Sequence, residues 1–176
     1  MEDIADAVRE LVDRQRIWES LLRYTRGVDR LDRELMLSAF HEDAVIDQGS
    51  FKGTREALAD WVLNYHRENQ RFTQHLMTNH GCEISGDTAH AETHVVYFGT
   101  NPADSEAFAV GRYIDRLERR TSGWAITHRV CTTEGATDLV KNDLLEQMQP
   151  RPGSLAIPTR DKADPSYLRP LVIPGE

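Results

Sequence analysis

The spacing of apolar residues changes once along the chain, and this change limits the folds that the sequence can form. In the N-terminal segments apolar side chains recur at helical spacing, whereas from His75 onward they alternate as they do in β-strands. Helices followed by a run of antiparallel strands are typical of an α+β domain. We therefore predict helices packed on one face of a curved antiparallel sheet, with a pocket between the two layers.

Three helices are predicted ahead of the sheet. The first spans residues 3–27, where Gly27 is a suitable stop. A short second helix follows over 34–40 with Asp32 as its N-cap, and Thr54 caps a third helix. The apolar positions that define the first and third helices are Ile4, Val8, Leu11, Val12, Ile17, Leu21, Leu22 and Tyr24, then Leu58, Trp61, Val62 and Tyr65.

The strands are predicted as extended runs that end at turn-forming residues. A first strand is expected over 43–47, and two late strands over 108–117 and 124–131. Between them, Gly86 and Asp87 separate two extended runs, which is a hairpin signal. One face of the strand over 88–99 carries Ala89, Ala91, Thr93, Val95 and Tyr97, and the other carries His90, Glu92 and His94.

The chain divides into one domain and a tail. Its 176 residues suit a single domain, which we assign to residues 1–149, with a last helix over 138–148. Six of the seven prolines lie in residues 150–176, and this density predicts an extended arm rather than a second domain. The segment over 160–167 could dock on a neighbouring subunit or cover a pocket.

Composition and charge exclude some classes of function. The formal net charge is −8 and the pI about 5.4, so non-specific nucleic-acid binding, which needs a basic surface, is not expected. A membrane span is not expected either, because no run of about 18 apolar residues exists. The acidic start lacks the features of a signal peptide, which favours a cytoplasmic protein with Cys82 and Cys131 reduced.

Asp29 and His75 are the first candidates for catalysis, because the end of the first helix and the start of a central strand can both face the pocket. An Asp held against a His fixes the ring tautomer and stabilises the imidazolium that forms when the His takes a proton. Tyr24, one helical turn earlier, could donate a proton or polarise an oxygen. Each also has a structural interpretation. Asp29 could be a turn residue, His75 a strand residue whose hydrogen bonds the backbone satisfies, and Tyr24 an aromatic residue of the core.

Three further residues are candidates for substrate binding. Asn79 falls on the predicted face of His75, and Tyr97 falls on the predicted inner face of its strand. His128 and Arg129 alternate on the last strand, so only one of them faces the pocket. Arg129 could hold an anionic or phenolic oxygen, and a structural ion pair is the alternative.

The remaining histidines are interpreted as structural. His90 and His94 flank Glu92 on one strand face, a spacing that could mimic metal ligands. A solvent-facing or subunit-interface face of the sheet is the favoured interpretation, so no metal site is predicted. His41 and His66 are expected at the surface.

Several motifs, taken together, resemble one known family. Over about residues 5–135 the chain resembles the SnoaL-like branch of the NTF2-like superfamily. Its motifs are Asp13-Arg14-x-x-Ile17, Tyr24-x-Arg26-Gly27-Val28-Asp29-x-x-Asp32, Phe40-His41-x-Asp43-Ala44, Phe51-x-Gly53, His75-x-x-x-Asn79, Gly86-Asp87-Thr88-Ala89, Gly111-x-Tyr113-x-Asp115 and Gly123-Trp124.

The resemblance implies a cone-shaped α+β barrel around a deep apolar pocket. The members most similar to this chain are lyases, including dehydratases, that work without a cofactor and commonly assemble as trimers. In these lyases an Asp–His pair stands at the motif positions of Asp29 and His75, and a Tyr at that of Tyr24. The superfamily also includes proteins that are not enzymes.

The sequence therefore predicts a cofactor-independent lyase that acts on a small hydrophobic molecule, such as an aromatic one. The reaction class is dehydration, a related elimination or C–C cleavage, with Asp29 and His75 as the acid–base pair. A homo-oligomer is expected, with a trimer favoured and a dimer as the alternative. An isomerase or cyclase that uses the same base, or a non-catalytic small-molecule-binding module, is the alternative function.

Overall fold

The computed structural model describes residues 4–102, 105–139 and 158–170. Within these ranges two helices, two strands and a third helix precede the other four strands of a six-stranded sheet, and a 3₁₀ turn at Pro165–Tyr167 follows it. The helices are α1 (Ile4–Asp29), α2 (Arg33–Leu37) and α3 (Arg55–Asn69). The strands are β1 (Phe40–Asp47), β2 (Lys52–Thr54), β3 (Phe72–Ser85), β4 (Thr88–Thr100), β5 (Glu106–Arg120) and β6 (Gly123–Leu139).

The sheet has the strand order β2-β1-β6-β5-β4-β3 and is curved without closing into a full barrel. Strands β3 to β6 form the predicted antiparallel meander, with the β3–β4 hairpin at Gly86. Strand β1 differs from the prediction, because it pairs with β6 in parallel. The last strand of the meander, β6, lies beside β1 and runs in the same direction. The sheet therefore contains both parallel and antiparallel strand pairs. The predicted α+β fold with N-terminal helices on a curved sheet is confirmed.

One stripe of α1 faces the sheet and forms much of the core. Ile17, Leu21, Tyr24 and Val28 recur every three or four residues and are all buried, as expected for an amphipathic helix. Opposite them the inner face of the sheet contributes buried side chains such as Ile126. No helix in the described ranges is long and apolar enough to cross a membrane.

The first helix ends two residues beyond the predicted stop. Gly27 lies inside α1, and its lack of a side chain allows α2 to approach, since a Cβ there would lie 2.5 Å from the Met36 nitrogen. Two residues after the end of the helix, Leu31 adopts a left-handed conformation with φ 52°. The N–H of Asp32 donates to the Gly27 carbonyl (2.8 Å) and the N–H of Leu31 donates to the Val28 carbonyl (3.2 Å), the pattern of a Schellman motif.

Both predicted helix caps are present. The Asp32 carboxylate accepts a hydrogen bond from the Leu35 N–H (3.2 Å), and the Thr54 hydroxyl accepts one from the Ala57 N–H (3.3 Å). The second helix is shorter than predicted and stops at Leu37, because the chain is already extended in β1 from Phe40. This early start places the Phe40 ring in the core beside α1.

The C-terminal segment returns to the ends of the helices. Of the helix predicted over 138–148, Asp138 and Leu139 belong to β6, and the rest lies outside the described residues. Within 158–170, the Tyr167 hydroxyl donates to the Asp32 carboxylate (2.9 Å), and Lys162 bonds to the same carboxylate. The division into a domain over 1–149 and an arm over 150–176 stays a prediction.

Candidate active site

A cavity of about 660 Å³ lies between α3 and the inner face of the sheet. Trp61 and Tyr65 of α3 stand on one side of it, each more than a third exposed, and strands β4 to β6 form the other side. Its walls combine aromatic rings, small apolar residues and a few polar groups: Tyr24, Gln48, Trp61, Val62, Tyr65, His66, Gln70, His75, Val95, Tyr97, Asn101, Ala107, Phe108, Ala109, Val110, Gly111, Tyr113, Cys131, Thr132, Thr133, Ala136, Thr137 and Asp138.

Asp29 and His75 are in direct contact beside this cavity. The His75 Nδ1 lies 2.6 Å from Asp29 Oδ1, and the His75 backbone N–H donates to Oδ2 (3.0 Å). The Thr73 hydroxyl donates a third hydrogen bond to Oδ1 (3.0 Å). Both side chains of the pair are nearly buried, at 10% exposed for His75 and 14% for Asp29. A carboxylate with three donors is held in one orientation.

These contacts determine the tautomer of His75. An ionised carboxylate can only accept hydrogen bonds, so the proton of a neutral His75 ring lies on Nδ1, between the ring and Asp29. The other nitrogen, Nε2, then carries a lone pair on a side chain that lines the cavity. The arrangement is that of a general base whose conjugate acid is stabilised by a neighbouring carboxylate.

Tyr24 lies on the cavity wall next to the core. Its ring is 2% exposed and meets Phe40 and Tyr113 edge to face, each with ring centroids 5.6 Å apart. Its oxygen accepts a hydrogen bond from the Gln48 side-chain amide (2.8 Å), so the phenolic proton remains available for another acceptor. Burial raises the pKa of Tyr24, while the charge of Arg129 acts in the opposite direction.

Arg129, and not His128, faces the interior of the sheet. It stands opposite Asp115 on the neighbouring strand and forms two hydrogen bonds with that carboxylate (2.7 and 2.8 Å), both side chains being fully buried. Its guanidinium carbon lies 4.3 Å from the ring centre of Tyr24 and 4.1 Å from that of Tyr113. Burial alone would lower the pKa of Arg129, but the Asp115 carboxylate outweighs it and holds the pKa above the ordinary value.

The guanidinium of Arg129 is not fully satisfied by Asp115. Among the described residues its Nη1 has no hydrogen-bond partner. Arg129 is not among the side chains that line the cavity surface. It therefore lies behind Tyr24, as a buried positive charge beneath the cavity wall.

Tyr97 lies in the cavity beside the Asp–His pair. It is the cross-strand neighbour of His75, and the two ring centroids are 5.1 Å apart. Its buried hydroxyl makes no hydrogen bond of normal geometry within the described ranges. Burial raises the pKa of Tyr97 to about 12, against a smaller opposite effect of the nearby Gln70 amide.

His66 also lines the cavity, contrary to the predicted surface position. It is 6% exposed, its Nδ1 bonds to the Gln70 side-chain oxygen, and its ring meets that of His75 edge to face at 6.0 Å. The helical spacing contained the signal, because His66 follows the buried residues Leu58 and Val62 at intervals of four.

The environment of His66 keeps its ring neutral at neutral pH. Burial is the main cause and lowers the pKa of His66 to about 4, from an ordinary value of 6.5. The charges of His75 and Arg160 act in the same direction, whereas the Gln70 hydrogen bond and Asp29 act against it. A neutral ring that donates from Nδ1 leaves Nε2 as an acceptor.

Asn79 does not reach the cavity. A bulge in β3 between Met77 and His80 shifts the alternation by one residue, so that Asn79 is exposed and His80 turns inward. His80 packs against Trp18 with ring centroids 5.0 Å apart. The prediction that Asn79 shares a face with His75 is therefore wrong, because it assumed an uninterrupted strand.

The other histidines occupy different places. His41 is buried, not at the surface, and its Nε2 lies 2.8 Å from the Glu118 carbonyl. On the outer face of β4, Glu92 pairs with Arg112 (3.0 Å). Within the described ranges no three His, Cys, Asp or Glu side chains come together as metal ligands would. Cys82 and Cys131 are free thiols.

Solved structures share this fold at low sequence identity. A candidate scytalone dehydratase from Novosphingobium aromaticivorans has a TM-score of 0.67 at 21% identity, over 76% of this chain and 91% of the other. A hexachlorocyclohexane dehydrochlorinase from Novosphingobium barchaimii has a TM-score of 0.68 at 19% identity, over 80% and 97%. A Mycobacterium tuberculosis protein of unknown function has a TM-score of 0.65 at 20% identity, over 97% of each chain.

These likenesses establish the architecture, and the family follows from the sequence itself. No curated protein matches the chain in sequence. The model of the SnoaL-like domain matches residues 9–130, which include most of α1, the Asp29–His75 pair and most of the sheet. The chain therefore belongs to the SnoaL-like family, within the NTF2-like superfamily.

Proposed function

We propose that the protein is a cofactor-independent lyase that uses His75 as its base. The observation that carries the proposal is the 2.6 Å contact between His75 Nδ1 and Asp29 Oδ1 at the wall of a 660 Å³ cavity. A catalytic Asp–His pair needs this contact and a substrate-sized space beside it. The presence of a dehydrochlorinase and a candidate dehydratase among the structural neighbours agrees with an elimination.

The proposed step is the loss of water from a hydroxylated carbon skeleton. His75 Nε2 takes a proton from a carbon next to a carbonyl, and the electrons of that C–H bond form the new C=C bond. The C–O bond of the neighbouring hydroxyl breaks, and Tyr24 donates its proton so that water leaves. The His75 imidazolium and the Tyr24 phenolate then exchange their proton through solvent, which restores both groups.

The surroundings of Tyr24 support its role as the acid. The Gln48 amide donates to the phenolic oxygen, which fixes the ring hydroxyl and leaves its proton for the substrate. The buried guanidinium of Arg129, 4.3 Å from the ring centre, stabilises the negative charge that develops on that oxygen. Fixed charges in a site with little water are more effective than the same charges in solution.

The cavity favours a hydrophobic substrate with few polar groups. Aromatic side chains flank its opening and its sides, among them Trp61, Tyr65 and Phe108. The buried hydroxyls of Tyr97 and Thr132, which lack partners among the described residues, are suited to hold one or two oxygens of the substrate. A polycyclic or aromatic β-hydroxy carbonyl compound meets these requirements.

Two other functions remain as alternatives to elimination. An isomerase or cyclase would use the same base without loss of a fragment, and Tyr24 would then protonate or polarise a carbonyl oxygen. A non-catalytic binder would use the cavity alone.

The test is a panel of hydrophobic β-hydroxy ketones incubated with the protein, followed by the absorbance of the conjugated product and by mass. His75→Gln and Asp29→Asn should each reduce turnover by roughly 10²- to 10⁴-fold. The matched control is His128→Gln, since His128 is on the same sheet but faces outward. Product of unchanged mass would indicate the isomerase. Near-normal turnover in both His75→Gln and Asp29→Asn would exclude the proposed pair.

A further inference from the structure

One arginine of the C-terminal segment lies directly behind the candidate site. The guanidinium of Arg160 donates four hydrogen bonds to groups on three elements. Its Nε bonds to the Asp29 carbonyl (3.1 Å), and its Nη1 bonds to the carbonyls of His66 (3.0 Å) and Gln70 (2.9 Å). Its Nη2 bonds to the Thr73 hydroxyl (3.1 Å).

Three of these bonds join the ends of two helices. Helix α1 ends at Asp29, and α3 ends at Asn69 with Gln70 as its extended C-cap, so the three carbonyls that Arg160 contacts lie in the last turn or the cap of a helix. The His66 carbonyl also accepts a hydrogen bond from the Gln70 backbone N–H (3.2 Å), and carbonyls at a helix C-terminus carry the negative end of the helix dipole. The Arg160 guanidinium donates to carbonyls at both helix ends at once, and this fixes α1 relative to α3.

The fourth bond continues to the Asp–His pair. The Thr73 hydroxyl accepts from Arg160, which can only donate, and so it directs its own proton to Asp29 Oδ1 (3.0 Å). Thr73 is 1% exposed, so water does not replace either partner at low cost. A chain of hydrogen bonds thus runs from the C-terminal segment to the catalytic carboxylate.

We propose that Arg160 is a positioning residue, which holds Asp29 in the orientation that keeps the His75 ring aligned. The inference rests on the proposed role of the pair. Arg160 fixes the backbone of Asp29 through its carbonyl and the side chain of Asp29 through Thr73. The C-terminal segment is thereby part of the structure that supports the active site.

The segment has other attachments to the domain, so the role of Arg160 can be separated from docking. Lys162 and Tyr167 both bond to the Asp32 carboxylate, and Arg26 donates to the Ser166 hydroxyl (3.1 Å). The Arg26 guanidinium also covers the Tyr167 ring at 4.8 Å. These contacts do not involve Arg160, so we expect them to hold the segment in place when its guanidinium is removed.

The first measurement is the nuclear magnetic resonance signal of the His75 Nδ1 proton, which is protected from solvent only while it bonds to Asp29. Arg160→Ala and Thr73→Val should broaden this signal or increase its exchange with water. The control Arg169→Ala should leave it unchanged, because Arg169 bonds to the Ser166 and Leu168 carbonyls inside the segment. An unchanged signal in both test variants would overturn the inference.

The second measurement is turnover on the substrate found in the hydroxy ketone panel. Misalignment of the base should reduce kcat by about 10- to 100-fold with little change in KM. Ethylguanidine, which replaces the atoms that Arg160→Ala removes, should restore part of that loss, and Arg160→Lys should retain part of the wild-type rate. If Arg160→Ala melts at a lower temperature but keeps kcat and the Nδ1 signal, Arg160 stabilises the fold without positioning the pair.

The two proposals fail in different ways. If wild-type protein shows the protected Nδ1 proton and Arg160→Ala loses it, Arg160 positions the pair whatever reaction the pair performs. If wild-type protein shows turnover that His75→Gln does not reduce, the base assignment fails while the Nδ1 result for Arg160 still stands. Should Arg160→Ala not fold, Thr73→Val breaks the same hydrogen-bond chain and decides the question.

Discussion

At the residue scale, the site contains buried charge beside Tyr24 as well as beside His75. The Arg129–Asp115 pair is fully buried, so its two short hydrogen bonds act against the free-energy cost of desolvating both charges. A buried pair of this kind is poor evidence for stability. Its position beside the Tyr24 ring and the unpartnered Nη1 of Arg129 fit a role in stabilising negative charge at the cavity wall.

Tyr24→Phe tests whether this residue protonates the leaving group. The variant removes only the hydroxyl, so dehydration should slow by roughly 10²-fold, as expected for the loss of a general acid. With a halide in place of the hydroxyl, departure needs no proton, and the loss should be much smaller. The comparison is made as kcat on matched hydroxy and chloro substrates. Equal losses with both leaving groups would contradict the assignment.

His66 should make the stability of the fold depend on pH in the acidic range. Its folded pKa of about 4 lies below the ordinary 6.5, so between these values the unfolded chain binds the extra proton. The free energy of unfolding therefore falls as the pH is lowered from 6.5 towards 4, by at most about 1.4 kcal/mol per pH unit from this group. Above pH 6.5 the contribution is constant.

The measurement is urea unfolding of wild type and His66→Gln near neutral pH and near pH 5. Wild type should lose more stability on acidification than the variant does. Its neighbours His75, Arg160 and Asp29 are unchanged in the variant, so they contribute equally to both curves. Parallel pH dependence in the two proteins would show that His66 titrates at an ordinary value.

Residues of the site differ in how well the sequence identifies them. The positions of Asp29, His75 and Tyr24 at or beside one cavity could be expected, because each is a chemically reactive side chain at the boundary of a clear pattern. The sequence does not indicate that Asn79 points away from the cavity, because the bulge in β3 cannot be recognised from the alternation of polar and apolar residues. The hydrogen bonds of Arg160 could not be foreseen, since they join positions separated by 87 to 131 residues.

At the element scale, the approach of α2 to α1 depends on Gly27. The caps at Asp32 and Thr54 are local features and could be predicted, whereas the close contact of Gly27 with Met36 depends on the tertiary packing. Glycine inside a helix usually costs about 0.5–1 kcal/mol relative to alanine. Glycine is required at this position because backbone atoms of α2 occupy the space of a Cβ.

Gly27→Ala should therefore destabilise the fold in spite of the better helix propensity of alanine. Its Cβ would lie 2.5 Å from the Met36 nitrogen and 2.6 Å from its Cα, and overpacking of this kind costs about 1–3 kcal/mol. The control is Gly81→Ala, where nothing lies within 4 Å, and its effect should be within about 0.5 kcal/mol. Urea unfolding measures both. A more stable Gly27→Ala protein would show that α2 moves aside freely.

At the scale of the whole molecule, the outer face of the sheet carries apolar side chains that nothing in the described structure covers. Ile114 and Val130 are cross-strand neighbours on β5 and β6, 40% and 46% exposed, and Val45 on β1 is 45% exposed. Leu76 on β3 faces the same way, opposite the inward His75. These apolar residues share the outer face with charged pairs such as Glu92–Arg112, and exposed apolar residues on one face are typical of association surfaces.

We expect this outer face to join copies of the chain into a homo-oligomer, with a trimer favoured over a dimer. Light scattering with size-exclusion chromatography should give a wild-type mass that is a multiple of 20.1 kDa. Ile114→Asp and Val130→Asp place a charge at the centre of the face and should shift the mass to that of a monomer, because an unpaired buried charge is costly. Glu68→Lys on α3, away from the sheet, is the matched control and should leave the mass unchanged. A monomeric wild-type protein, or variants that retain the oligomer, would mean that the outer face stays exposed to solvent.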